Sequence, residues 1–333
     1  MGNTTTSLRI LHCANFSERR NGAAYYAIDR KISNGLIRNH HFVQDFSYRD
    51  VARHHSPLRL KKFGIRKMNA LLLETARQIQ PDLLLLGHSE LVSNETLERI
   101  RQAHPRCRIA MYWIDWIRTL LRRKAFFEQR LALLDCFFMT TDPAEVDRAL
   151  ATAQAGVNTF YLPNICDRSI DTGQAFRVQS YRHDVVFVGR GTERNDLIDH
   201  LSHRMADLNV GIYGQDKQTV VFGRAYLELL AASKIGINYS HANNIPGYSS
   251  DRIIQLAANG CLVVTPDTPG MTEYFSRDEV VYFKDLAEME ERIRFYLAHD
   301  AARRKLAEAS WQRAHLDYES VPVTRNMLAR IFT

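Results

Sequence analysis

Asp82-Leu83-Leu84-Leu85-Leu86-Gly87-His88-Ser89-Glu90 sets four leucines in a row ahead of a glycine and three polar side chains. A strand with one wet face alternates apolar and polar residues. An uninterrupted leucine run has no wet face, as in a parallel strand covered by helices on both sides. Gly87 lets the chain turn, and His88, Ser89 and Glu90 then follow the strand, where open parallel sheets receive their ligands.

The same pattern extends in both directions. Apolar runs at residues 8–13, 41–46, 108–113 and 136–139 read as further strands, and residues 23–38, 65–80 and 93–103 have helical spacing. Ser93, with Thr96 and Glu98, supplies cap and first-turn chemistry for the last of these. Pro163, Asn164 and Gly173 break the rhythm, after which strand-like runs return at 184–189, 210–214, 235–239, 261–265 and 280–283. From residue 286 the pattern is helical, with Ile293, Tyr296 and Leu297 inward and Glu290, Glu291, Arg292 and Arg294 outward. The expectation is an α/β protein of two tandem Rossmann-like domains facing across a cleft. They occupy residues 1–163 and 184–318, joined by a linker at 164–183, with a last helix at 319–333.

The length, 333 residues, suits two domains of roughly 150 residues each. With 45% hydrophobic and 24% charged residues, neither a disordered chain nor a coiled-coil rod fits. The net charge of +7 favours phosphate-bearing ligands or anionic surfaces. Cys13, Cys107, Cys136, Cys166 and Cys261 are widely spaced in mostly apolar runs, which predicts reduced, buried thiols and a cytosolic compartment. No cysteine pair has metal-site spacing and the doublets His40-His41 and His54-His55 lack companions, so no metal is expected. No apolar run approaches the roughly 20 residues that span a bilayer, and the myristoylation-like start, Met1-Gly2 with Thr6, is set aside.

Candidate chemistry lies after the strands. On the first domain these residues are His12, Asn15, Arg20 and Gly22, with Gly22 opening a helix, then His88 and Glu90, then Asp115 between Trp113 and Trp116. Imidazole and carboxylate side chains there can take a proton, although each can also serve as a helix cap. On the second domain, Gly189-Arg190-Gly191-Thr192-Glu193-Arg194 is half of a dinucleotide fingerprint. It reads better as a phosphate loop at a helix N-terminus. The densest cluster is Asn238-Tyr239-Ser240-His241 with Tyr248-Ser249-Ser250-Asp251-Arg252, where Ser249, Ser250 or Asp251 caps a helix and Arg252 completes an anion site suited to a diphosphate. The loop reaching Gly270 and Glu273 can line the same pocket.

Gly35-Leu36-Ile37-Arg38-Asn39 with His41, Phe46-Ser47-Tyr48-Arg49-Asp50, Pro81-Asp82 on to Gly87-His88, Leu162-Pro163-Asn164, Val186-Phe187-Val188-Gly189 and Ser250-Asp251-Arg252 on to Gly260 together resemble the two-domain GT-B glycosyltransferases, in particular the group 1-like branch related to the spore maturation protein CgeB. The resemblance covers most of the chain. It implies a second domain that binds a nucleotide-sugar donor, a first domain that receives a glycan or lipid-linked acceptor, and a late helix, residues 321–331, that crosses back to the first domain. Donor contacts would come from Gly189, Arg190, Arg194, Tyr213, Asn238, Tyr239, His241, Tyr248, Ser249, Ser250, Asp251, Arg252, Gly270 and Glu273, and the acceptor side from His12, Asn15, Arg20 and Gly22. The two glutamates usual in related retaining families correspond to Gly247 and Gln255. Arg252, Arg190 and helix N–H groups would stabilise the departing phosphate without a metal or other cofactor, and His88, Glu90 or Asp115 would be the base, His88 first.

Two rivals share this architecture: a sugar-nucleotide epimerase and a non-catalytic nucleotide-sugar-binding protein. The stretch from Leu58 to Lys67 mixes Arg59, Lys61, Lys62 and Arg66 with Leu60, Phe63 and Ile65. It is expected either as a solvated helix face or as a contact with the anionic inner face of a membrane, compatible with a cytoplasmic, peripheral enzyme of polysaccharide synthesis. Nucleic acid is disfavoured, because aromatic residues are not interleaved there as stacking platforms.

Overall fold

The computed structural model describes residues 7–56, 60–152, 155–216 and 219–333. The chain forms two units, Met1–Leu162 with Ser320–Thr333, and Pro163–Glu319.

In the first unit, β1 (Arg9–Ala14), β2 (Phe42–Ser47), β3 (Leu83–Gly87), β4 (Arg108–Trp113), β5 (Cys136–Met139) and β6 (Asn158–Tyr161) make a parallel sheet in the order β2-β1-β3-β4-β5-β6. The helices are α1 (Ile28–Arg38), α2 (Tyr48–His54), α3 (Lys61–Ile79), α4 (Asn94–Ala103), α5 (Ile117–Leu121), α6 (Lys124–Leu131) and α7 (Pro143–Leu150). Leu84 lies between Leu11 of β1 and Ile109 of β4, and all four leucines of β3 are buried. Helix starts follow their caps: Ser93 accepts from Thr96 N–H at α4, and Asp142, with Pro143 next, accepts from Ala144 N–H at α7.

In the second unit, β7 (His183–Val188), β8 (Val210–Tyr213), β9 (Ser233–Ile237), β10 (Leu262–Pro266) and β11 (Val281–Phe283) run in the order β11-β10-β9-β7-β8, again parallel. They alternate with α8 (Asn195–Asp199), α9 (Gly223–Ala231), α10 (Arg252–Ala258), α11 (Leu286–Ala298) and α12 (Asp300–Asp317). Val185, Phe187, Ile235, Ile237, Leu262 and Val264 form the centre of its core, with Met289 and Ile293 of α11 packed against them.

The last helix, α13 (Ser320–Ile331), belongs to the first unit and lies on α1. Asn39 donates from Nδ2 to Val321 O and Thr324 Oγ1, both at 2.9 Å. A Cβ on Gly35 would sit 2.6 Å from the Ser320 carbonyl carbon and 2.7 Å from Thr324 Oγ1, so this glycine lets the two backbones approach.

Several expectations change. Residues 164–183 are packed parts of the second unit rather than a free connection. Asp167 and Asp171 are fully buried, Cys166 N–H donates to Tyr318 O, and Trp311 Nε1 donates to Gly173 O. The strand β6 was not expected; it is a short, partly exposed sheet edge without an apolar run. Gly22 (φ 85°) opens no helix, because α1 starts at Ile28 after a series of turns. The five cysteines are free and buried. Among the described residues, no helix is long and apolar enough to cross a membrane and no cluster of His, Cys, Asp and Glu has metal-holding geometry. Met1, Gly2, Thr6, Leu58 and Arg59 lie outside the described residues.

Candidate functional site

Strand order locates one candidate site in each unit. In the first sheet, β1 is flanked by β2 and β3, so successive crossovers leave it in opposite directions; in the second, β7 is flanked by β8 and β9 in the same way. Crevices outside the carboxyl ends of strands at such reversals are where open α/β sheets bind ligands.

At the β7/β9 reversal two guanidinium groups meet. Arg252, the first residue of α10, donates from Nε to Val188 O at 2.5 Å and from Nη1 to Tyr239 O and Ser250 Oγ, both at 3.1 Å. Arg194, 2% exposed, donates from Nε to the same Tyr239 carbonyl at 2.9 Å and from Nη1 to Arg190 O. Among the described residues neither has a carboxylate within ion-pair distance. Burial, followed by the neighbouring Arg252, brings Arg194 down to about 10, and burial also lowers Arg252. Two adjacent cations satisfied only by carbonyls and a hydroxyl concentrate positive charge at the carboxyl ends of β7 and β9, which favours a phosphate-bearing ligand. Gly189 makes the arrangement possible, since a Cβ there would lie 2.6 Å from the Phe187 ring and 3.1 Å from Arg252 Nη2.

The cluster beside these arginines is a scaffold of short hydrogen bonds. Asn238, buried, donates to Ser249 Oγ and Thr265 Oγ1 at 3.0 Å and accepts from Ser250 Oγ at 3.1 Å. Ser240 Oγ accepts from Ser250 N–H, and Gly247 (φ 70°) donates its N–H to Pro269 O beside Gly270 (φ 77°). Gln255 takes the Tyr226 hydroxyl at 2.5 Å and donates to Asp251 Oδ2 at 2.8 Å. Tyr248 and Ser249 are buried beside them.

The structure also separates residues that the sequence grouped. The turn after Gly191 is a three-residue 3-10 segment, Thr192–Arg194, followed by the five residues of α8, and α10 has seven residues. The anion chemistry therefore lies in the guanidiniums rather than in long helix dipoles. Asp251 makes no cap hydrogen bond; its carboxylate is held by Gln255. Tyr213 lies over Gly211, and its hydroxyl bonds His183 Nε2 (2.8 Å) at the start of β7, away from the strand ends. His241 pairs with Glu193 at 2.8 Å on the surface, while Arg190 and Glu273 are exposed.

In the first unit, His88 and Ser89 adopt left-handed backbone (φ 56° and 48°), whereas Gly87 does not. Gly87 is needed for space: a Cβ would overlap the Tyr112 hydroxyl and lie 2.5 Å from Cζ of that ring. Arg130, fully buried, holds the following loop by donating to Ser89 O (3.0 Å) and Val92 O. The His88 ring stacks on Trp113 at 4.2 Å and accepts the Ile114 N–H at Nε2 (3.2 Å), so its neutral lone pair is engaged; Nδ1 is 3.9 Å from Asp115 Oδ2. Asp115 is 62% exposed at its side chain. Glu90 is fixed by the Tyr48 hydroxyl and by Arg49 at 2.5 Å. Burial pushes its carboxyl upward, but these two donors hold it below the ordinary range, making it a weak base.

His12, expected on the acceptor side, is instead a fully buried residue within β1. It joins a chain that links Asp45, Ser33, His12, Tyr112 and Asp29. Ser33 Oγ donates to Asp45 Oδ1 (2.6 Å) and therefore accepts from His12 Nδ1 (2.8 Å). His12 Nε2 then faces the Tyr112 hydroxyl (2.9 Å), which also faces Asp29 Oδ1. Burial raises both Asp29 and Asp45, against the pull of the Tyr112 hydroxyl on Asp29 and of Ser33 and Arg30 on Asp45, with Arg30 2.6 Å from Asp45. Asp29 lies at the β1/β3 reversal, taking the Asn15 backbone N–H and sensing His88 and Arg49. Sequence reasoning missed Asp29, Tyr112 and Arg49. The visible signal was an acidic residue in the first turn of α1, which reads as helix-dipole chemistry.

Residues 192–329 match the model of the glycosyl transferase-like family. No curated protein sequence matches the chain significantly. Among solved structures, sucrose-phosphate synthase from Thermosynechococcus elongatus is 13% identical with a TM-score of 0.66, covering 97% of this chain and 98% of that one. An alpha-glucosyltransferase in complex with UDP and a 13-mer DNA is 15% identical with a TM-score of 0.65, covering 98% of this chain and 100% of the other. Anabaena Alr3699/HepE in complex with UDP and glucose gives 13% identity and a TM-score of 0.57, covering 98% and 100%. The fold is that of the GT-B glycosyltransferases, two parallel-sheet α/β domains.

Proposed function

We propose that this chain transfers a sugar from a UDP-type nucleotide sugar, bound by the second unit, to a hydroxyl of an acceptor bound by the first. The observation that carries this reading is the pair Arg194 and Arg252, adjacent at the β7/β9 reversal with no carboxylate counterion among the described residues. Solved structures of the same fold hold UDP, or UDP with glucose, which supports a uridine donor. In the transfer, the acceptor oxygen loses its proton and bonds to the sugar's anomeric carbon, while the bond to phosphate breaks and its electron pair leaves with the nucleotide. Charge growing on that phosphate is met by the two guanidiniums, so no metal is needed for leaving-group stabilisation. Asp115 is the proton acceptor, with His88 beside it; Glu90 is a positioning residue for Arg49.

The finer placement, in the branch related to CgeB, rests on the motif order from Gly35 to Gly260. An acceptor carried on a lipid, met at an anionic membrane surface, is supported by Leu60 and Phe63, 49% and 54% exposed beside Lys61, Lys62, Arg66 and Lys67.

Calorimetric titration with UDP-, GDP-, dTDP- and CMP-sugars tests the donor assignment, followed by product analysis with the sugar that binds. A uridine donor should bind and yield product with a glycan or lipid-linked acceptor, and Asp115→Asn should keep donor binding while losing turnover. Binding without any product across an acceptor panel would support a non-catalytic nucleotide-sugar receptor instead.

A further inference from the structure

At the carboxyl ends of β1 and β2 lies a cavity of about 720 Å³ lined by Glu18, Arg19, Asp50, Val51, Arg53, His54, His55 and Ser56. Its size falls in the roughly 300–1,000 Å³ range of small-molecule sites. Cations crowd it. Burial, then Arg19, Arg49 and Arg20, push the Arg53 guanidinium below its ordinary value against the pull of Asp50. Lys61 is lowered by burial and by Arg49, Arg53 and Arg19 against the pull of Glu90. Like charges held this close destabilise the fold unless an anion joins them.

The nearby carboxylates neutralise only part of the cluster. Glu90 is paired with Arg49, and Asp50 is 3.6 Å from Arg53, with Oδ2 occupied by Ser47 Oγ (2.6 Å) and Glu18 N–H (2.8 Å). Among the described residues, Arg19 and Lys61 have no hydrogen-bond or ion-pair partner. Asp50 Oδ1 is buried, makes no hydrogen bond and lies 3.6 Å from Arg53 Nη1. A bare phosphate would bring the Asp50 carboxylate only further acceptors, whereas a hydroxyl group would bring it a donor.

We propose that this cavity binds a phosphate ester of a sugar or similar polyol, with the phosphate against Arg19 and Arg53 and a hydroxyl on Asp50. Calling that ligand the acceptor substrate rests on the glycosyl transfer proposed above; the binding chemistry does not.

Titration of the full chain, without any nucleotide sugar, tests the site with glucose 6-phosphate, glucose, inorganic phosphate and vesicles containing phosphatidic acid. Glucose 6-phosphate should bind more tightly than inorganic phosphate, and glucose should not bind. Arg19→Ala and Arg53→Ala should each weaken glucose 6-phosphate by about tenfold or more. Arg19 is exposed and without a partner, so its removal leaves the fold intact. Absent binding, binding insensitive to both substitutions, or Arg19- and Arg53-dependent binding to vesicles alone would each overturn the proposal. Binding that persists in a protein with no transferase turnover would preserve the site while removing the acceptor role, so the two failures are separable.

Discussion

Replacing His12 should flatten the acid sensitivity of the first sheet. Burial, reinforced by Arg30, lowers the His12 imidazole from 6.5 to about 3. Between these values the unfolded chain binds a proton that the folded chain refuses, so stability rises with pH across this window and is lost as pH falls through it. The full interval is worth about 5 kcal/mol, of which about 2 kcal/mol should disappear between pH 7 and pH 5. Asp29 and Asp45 act in the opposite sense: their raised carboxyls contribute stability in acid that is lost as pH rises through their folded values. They are common to wild type and His12→Gln, so the difference between the two proteins reports the imidazole. Because two units need not unfold together, the suitable assay is amide hydrogen exchange at Leu11 and Leu85, corrected for intrinsic rates. From pH 7 to pH 5, wild-type protection should fall about 25-fold more than that of His12→Gln. Equal losses in the two proteins would refute both the neutral buried imidazole and the hydrogen-bond chain built on it.

Gly87→Ala should destabilise the first unit by about 2–4 kcal/mol in chemical denaturation, through overpacking and disruption of the Tyr112 hydroxyl. Adding Tyr112→Phe should not rescue it, because the ring carbon Cζ would still be 2.5 Å from the new methyl; Tyr112→Leu should rescue it in part. Gly35→Ala should push α13 from α1 and expose residues 320–333 to limited proteolysis, with a stability loss of about 1–3 kcal/mol. Arg252→Ala should weaken UDP by about 1.5–3 kcal/mol in calorimetry, and lysine should not restore it because one ammonium cannot span Val188 O, Tyr239 O and Ser250 Oγ. An unchanged UDP titration would remove Arg252 from the donor site.

The parallel strands were legible because burial on both faces writes itself as an apolar run: Leu83 to Leu86 and the Val-Val-Phe of β7 need no partner to be recognised. β6 carries no such mark, since its side chains are partly exposed at the sheet edge. Residues 164–183 looked like a linker because they are polar, yet Asp167 and Asp171 are polar inside. Asp167 Oδ1 accepts the Ser169 N–H and hydroxyl, and Asp171 Oδ2 accepts the Asp167 N–H. Arg252 and Ser250 were visible as a polar crowd after a strand, but their convergence with Arg194 on one carbonyl depends on the β7/β9 neighbourhood. His12, Tyr112 and Asp29 are far apart in sequence, and only strand order joins them. Spacing identifies neighbours along one helix or strand, and is silent on those brought together by a crossover.

The position of α13 has a consequence for biosynthesis. The ribosome finishes the sheet of the first unit early, but the helix that covers α1 emerges only after all of Pro163–Glu319. The second unit can close while it is still tethered to the ribosome, whereas the first must wait, with one flank unsealed, until α13 has emerged. Truncation just before α13 would therefore injure the half of the protein made first.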